Sequence, residues 1–117
     1  MITGAHAIVY SADAEADRAV LAELLRGHGT VDAGGGWLIL GLPPAEVAVH
    51  PTEGPPRHEL YLMCDDVHAT LTDLRARGVA VDGDVSDQGW GLLTTIRLPG
   101  GGAVGLYEPR HPVAAGT

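Results

Sequence analysis

An imidazole and a carboxylate stand side by side at the head of HELYLMCDD, residues 58 to 66. Either group can ligate a divalent metal or move a proton. A strand sends neighbouring side chains to opposite faces, so only one of His58 and Glu59 can look into a pocket. In LYLMC (60–64), Leu60, Leu62 and Cys64 share one face, and Glu59, Tyr61 and Met63 share the other. The more aliphatic face packs under a helix. The pattern therefore predicts Glu59 inward and His58 outward.

The same phase argument applies to the other apolar runs. HAIVYS (6–11) sends His6, Ile8 and Tyr10 inward. GWLILGL (36–42) sends Trp37 and Ile39, and EVAVH (46–50) sends Glu46, Ala48 and His50. LLTTIRL (92–98) contributes Leu93, Thr95 and Arg97, and AVGLYE (103–108) contributes Ala103, Gly105 and Tyr107. The expected lining is aromatic and aliphatic with a few polar groups, the usual composition of a small-molecule pocket. Trp90 in SDQGWG (86–91) either stacks on a planar ligand or plugs the end of the sheet. The expected ligand contacts are Tyr10, Trp37, His50, Tyr61, Met63, Trp90, Arg97 and Tyr107. Without a metal, Glu59 in an apolar cleft beside His6 could share a proton as a general base, giving those two residues a catalytic role.

Those side chains need elements to hold them. HAIVYS reads as a short strand by its β-branched and aromatic content. DAEADRAVLAELLRG (13–27) reads as a helix capped by Asp13 and stopped by Gly27, with Ala16, Val20, Leu21, Leu24 and Leu25 on one side. TVDA (30–33), GWLILGL and EVAVH follow as strands. PTEGPPR (51–57) is a linker stiffened by three prolines. The order then repeats. LYLMC is a strand, and Asp66 caps a helix carrying Val67, Leu71 and Leu74 that ends at Gly78. VAV (79–81), LLTTIRL and AVGLYE are three further strands. GWLILGLPPAEVAV also lies over GLLTTIRLPGGGAVGL, with Pro43 near Pro99. An internal duplication is the economical explanation.

The bulk composition narrows the function classes. The chain has 117 residues, 45% hydrophobic, enough for one domain with a core. The net charge is −8 with no basic run, which argues against a nucleic-acid partner and mildly favours neutral or cationic ligands. Cys64 is the only cysteine, so it is read as a core residue, and an intrachain disulfide and a zinc–thiolate cluster are excluded. No apolar run approaches the roughly 20 residues of a membrane span, and the first residues lack a basic leader. A cytoplasmic protein without a membrane partner is the expectation. GGGW (34–37) and GGGA (100–103) precede no helix, so they do not read as phosphate loops. The tail RHPVAAGT is expected to fray.

HAIVYSAD, CDDVHATLTDLRARGV and LPGGGAVGLYEP together resemble the vicinal oxygen chelate superfamily, which includes glyoxalase I, bleomycin-resistance proteins and extradiol dioxygenases. The likeness runs from about residue 4 to residue 109. It implies an α+β fold of paired βαβββ modules, with curled mixed sheets enclosing a cleft and helices outside. Residues 1–117 would form one domain, as halves at about 4–51 and 58–109 joined by the Pro-rich linker. A homodimer is also implied.

Metal-using members place His, Gln or Glu at one inward position on the first, fourth, fifth and eighth strands. Here those positions hold His6, Ala48, Glu59 and Gly105. Two of the four cannot coordinate through a side chain, so the site reads as degraded and no cofactor is expected. The alternative set is His6, His50 and Glu59, with His50 about 6.6 Å beyond Ala48 on the same face. Two imidazoles and a carboxylate suit iron, manganese, nickel or zinc. That set would serve a lyase, an isomerase or an extradiol-type dioxygenase. The leading expectation is a glyoxalase/bleomycin-resistance-like protein that binds an aromatic or hydrophobic, possibly cationic, small molecule.

Overall fold

Among the described residues, Asp66 starts the better-packed of two helices. Its side chain accepts from the Ala69 N–H at 3.0 Å, satisfying one of the free donors at the helix start. Helix Val67–Ala76 (α2 in chain order) then turns its Val67, Leu71 and Leu74 into the core. Its end is a complete Schellman motif: Gly78 lies at φ +83°, its N–H donates to the Arg75 carbonyl, and the Val79 N–H donates to the Leu74 carbonyl, both at 3.0 Å. Leu74 and Val79 are both buried, which supplies the apolar contact that accompanies this motif.

The architecture is a computed structural model that describes residues 6–34, 38–46, 48, 51, 53–55 and 57–114. The fold is α+β. In chain order the elements are α1 (Ala14–Leu24), β1 (Thr30–Asp32), β2 (Leu38–Leu40), β3 (Tyr61–Met63), α2, β4 (Val81–Asp87), β5 (Gly91–Arg97) and β6 (Ala103–Pro109). Strands β1 and β2 form an antiparallel hairpin. The other four form an open mixed sheet in the order β3-β6-β5-β4, in which β3 and β6 run parallel. Residues 61 to 109 thus make one complete βαβββ unit.

Period-two side-chain alternation divides this sheet cleanly. Ile96, Leu98, Val104 and Leu106 are buried against Val67, Leu71 and Leu74 of α2, with Leu60, Leu62 and Cys64 packed around them. Each such side chain, fully buried, stabilises the fold by roughly 1.5–3 kcal/mol. Tyr61, Gly105, Leu93, Thr95 and Tyr107 occupy the opposite phase, and Tyr61↔Gly105 and Leu93↔Tyr107 are register partners. Helix α1 begins at Asp13, whose side chain accepts from the Ala16 N–H at 3.2 Å. It is anchored by Asp17, which is only 3% exposed and takes the Gly100 N–H at 2.6 Å in the β5–β6 turn. At its other end Glu23 receives Arg77 from α2 through both its carbonyl and its carboxylate.

The first half departs from its sequence pattern. HAIVYS forms no strand, and Ile8 and Tyr10 are 64% and 89% exposed. Its composition suits a strand, but a strand also needs a backbone partner, and none lies beside it among the described residues. The run at 36–42 is a strand only over Leu38–Leu40. Glu46 and Ala48 are not in a strand, and Val47, Val49, His50 and Trp37 lie outside the described residues. The second strand of the second half begins at Val81 and runs to Asp87, longer and later than 79–81.

Candidate functional site

Four rings converge on the face of the sheet turned away from α2. Tyr61 comes from β3, Tyr107 from β6, Trp90 from the turn before β5, and His111 from just past β6. Ring centroids are 6.3 Å apart for Tyr61–Trp90, 5.9 Å for Tyr61–Tyr107, 5.3 Å for Trp90–Tyr107 and 5.8 Å for Tyr107–His111. Tyr107 meets Tyr61 and Trp90 edge-on, at 73° and 80°, and stacks on His111 at 30°. Such pairs are favourable beyond their buried area.

Two glycines make room for the rings. A Cβ at Gly105 would lie 2.9–3.2 Å from three carbons of the Tyr61 ring. A Cβ at Gly91 would lie 2.9 Å from Tyr107 Cδ2 and from the Glu108 carbonyl oxygen. The turn carrying Trp90 is fixed from both sides. Asp87 accepts from the Gly89 N–H at 2.9 Å, Gly89 sits at φ +81°, and the Trp90 carbonyl accepts from the Arg110 N–H at 2.8 Å. Tyr107 is 8% exposed and forms the floor, while Tyr61 and Trp90 are 39% and 41% exposed and present open surface.

Polar groups rim this corner. Arg57 Nε donates to Glu59 Oε1 at 3.0 Å. That Arg57 bond above all, then the neighbouring Tyr61 hydroxyl, holds the Glu59 carboxyl below its usual range. Burial chiefly, then Glu59, pushes the Tyr61 phenol up, and burial followed by the charge of Glu46 does the same for Tyr107. His111 Nδ1 lies 2.7 Å from the Pro112 carbonyl, and its Nε2 lies 3.1 Å from Tyr107 Oη.

Several expected site residues stand elsewhere. His6 is exposed on a segment without strand structure, so no inward position forms there, and Glu59 pairs with Arg57 instead. Tyr10 likewise projects outward. Arg97 is exposed and held by Asp82, with Nε to Oδ2 at 3.0 Å. Met63 is half-buried and faces Tyr107 in the register. Cys64 is half-buried rather than fully enclosed; its thiol donates to the Tyr107 carbonyl at 3.6 Å, and burial raises its pKa. Glu108 turns toward α2 and accepts from the Val67 N–H at 3.1 Å. The start of the tail does not fray: His111 belongs to the ring cluster. The sequence offers no periodic signal for it, because it lies beyond the last strand.

Among the described residues, no three His, Cys, Asp or Glu side chains converge as a metal-binding group. At position 105, the Tyr61 ring occupies the space that any ligating side chain would need. Two hollows are lined by other residues: about 230 Å³ between α1, β3 and α2, and about 310 Å³ between α1 and the β1–β2 hairpin. Neither is lined by a tyrosine or tryptophan. No helix among the described residues is long and apolar enough to cross a membrane.

No family profile and no curated protein matches the chain by sequence. Solved structures do. One is TnmS3, an antibiotic-binding protein from Streptomyces sp. CB03234, 29% identical over 90% of this chain and 99% of that one, at a TM-score of 0.58. A second is a glyoxalase/bleomycin resistance protein from the same Streptomyces, 30% identical over 85% and 94%, at a TM-score of 0.56. A lactoylglutathione lyase from Agrobacterium tumefaciens, 22% identical over 86% and 88% at a TM-score of 0.53, shares the fold.

Proposed function

Because the chain belongs to the glyoxalase/bleomycin-resistance family of the vicinal oxygen chelate superfamily, we propose that it is a small-molecule-binding protein that sequesters an aromatic, antibiotic-like ligand without a metal. The observation that carries this reading is the Tyr61–Trp90–Tyr107 corner. Centroid separations of 5.3–6.3 Å mean that the rings touch one another. They leave no space for a guest between them, as a cation cage would. A ligand instead lies across the open faces of Tyr61 and Trp90, with Tyr107 as the wedge beneath. Planar hydrophobic molecules suit such a platform. The net charge of −8 favours cationic examples, with Glu59 at the rim as their counter-charge. Trp37 and His50 would border the same ligand.

The metal site is read as degraded. Ala48 and Gly105 offer no ligating side chain, and the Gly105 slot is filled by a ring. TnmS3, an antibiotic-binding neighbour, lends the sequestration reading an analogy. We place the protein in the cytoplasm as a homodimer, each chain a single domain of two related halves. The exposed apolar run Ile8, Val9, Tyr10 supports a second copy as its cover.

Metal analysis of protein purified without chelator tests this reading. The expected result is no stoichiometric iron, manganese, nickel or zinc. A full equivalent that is lost in His6→Ala would establish the enzyme alternative with His6, His50 and Glu59.

A further inference from the structure

The Tyr107 hydroxyl proton in the aromatic corner is already committed. A carbonyl oxygen only accepts, so His111 Nδ1 must carry the hydrogen in its 2.7 Å contact with the Pro112 carbonyl. In the neutral ring, Nε2 is then the acceptor, and the Tyr107 hydroxyl donates to it at 3.1 Å. What the Tyr107 oxygen retains is its lone pairs. The Glu59 carboxylate at the rim is a further acceptor. The nearby guanidinium groups are engaged: Arg57 with Glu59, Arg97 with Asp82 and Arg110 with Glu108. The Trp90 indole N–H is a donor, but it belongs to the ring whose face forms the platform.

We propose that this corner selects planar aromatic ligands carrying a hydrogen-bond donor, a phenol or an amine, at the ring edge, over those presenting an ether, carbonyl or carboxylate there. His111 is the positioning residue. It sets the polarity of Tyr107 by taking its proton, and its stacked ring holds the Tyr107 ring in place. The inference rests on the platform reading above and extends it from ring shape to edge chemistry. A buried acceptor left without a donor costs more than the bond itself contributes, so the discrimination comes from the mismatched ligand.

Calorimetric titration with three naphthalenes tests it: 2-naphthol, 2-methoxynaphthalene, which keeps the shape and loses the donor, and 2-naphthoate. The expected order is 2-naphthol tightest, by about five- to tenfold over the methyl ether, the size of one net hydrogen bond, with 2-naphthoate weakest. His111→Phe retains a stacked ring and frees the Tyr107 proton, so the naphthol-to-ether ratio should fall to about one. Tyr107→Phe, which removes only the hydroxyl, should lower the ratio as well and serves if the first variant does not fold. Equal affinity for the alcohol and its ether in the wild-type protein, or tighter binding of 2-naphthoate through Arg57, overturns the inference. If Trp90→Ala weakens all three equally in that case, the platform reading survives. No binding of any of the three overturns both.

Discussion

Burial shapes the ionisation of the two tyrosines in the corner. Both phenols are pushed above the usual value of 10.0, chiefly by desolvation, with a neighbouring carboxylate adding to it. A raised folded value means that the native state holds the proton more tightly than the unfolded chain does. Their contribution to stability is therefore complete below pH 10 and fades as pH climbs through the folded values. Glu59 has the opposite sign: its lowered value contributes above about pH 4.5 and fades as pH falls through the folded value. Alkaline titration followed by phenolate absorbance should show ionisation continuing past pH 10, and Tyr107→Phe should remove part of that late rise. An unchanged late rise in the variant would contradict the placement of Tyr107 as the buried floor. The phase of Tyr61, Gly105 and Tyr107 was legible because Leu62, Val104 and Leu106 mark the helix side without ambiguity. His111 was not legible. Its place depends on where the chain turns after β6, which the Trp90 carbonyl decides by accepting from Arg110.

Among the elements, α1 carries a buried carboxylate that ties it to the β5–β6 turn. Asp17 sits at the first turn of α1 and takes the Gly100 N–H, while its second oxygen, Oδ2, has no partner. Gly100 is required there, since a Cβ would lie 2.7 Å from that free oxygen. Asp17→Ala leaves the Gly100 N–H buried without an acceptor and should cost about 1–3 kcal/mol of stability. Asp17→Asn keeps an acceptor oxygen and should cost less. Denaturant melts of the two variants measure the difference, and equal stability of Asp17→Ala and wild type would contradict the anchor. The helices themselves were readable from Asp13, Asp66 and Gly78, whose local chemistry fixes starts and stops. The anchor was not, because Asp17 and Gly100 are 83 residues apart and nothing local links them.

At the scale of the whole molecule, the second half completes a βαβββ unit, and the described residues of the first half give α1 and the β1–β2 hairpin. Residues 6–11 have strand composition, yet Ile8 and Tyr10 face solvent. Composition reports which face a side chain prefers, and it cannot supply the backbone partner that a strand requires. A second copy is the proposed cover. Light scattering on the purified protein should give twice the mass of the 12.1 kDa chain, and Ile8→Asp should shift it toward the monomer. A wild-type monomer at all concentrations would remove the dimer from the account. The aromatic corner is an open surface, so a cover of this kind also bears on how fully a ligand is enclosed.

The central claim is that rings hold the ligand and a metal does not. Titrating 2-naphthol into chelator-treated protein by calorimetry, with Trp90→Ala in parallel, tests it most directly. The account predicts the same affinity before and after chelation and a large loss in Trp90→Ala. Binding that vanishes with the chelator, returns with added manganese or zinc, and ignores the loss of Trp90 would contradict it.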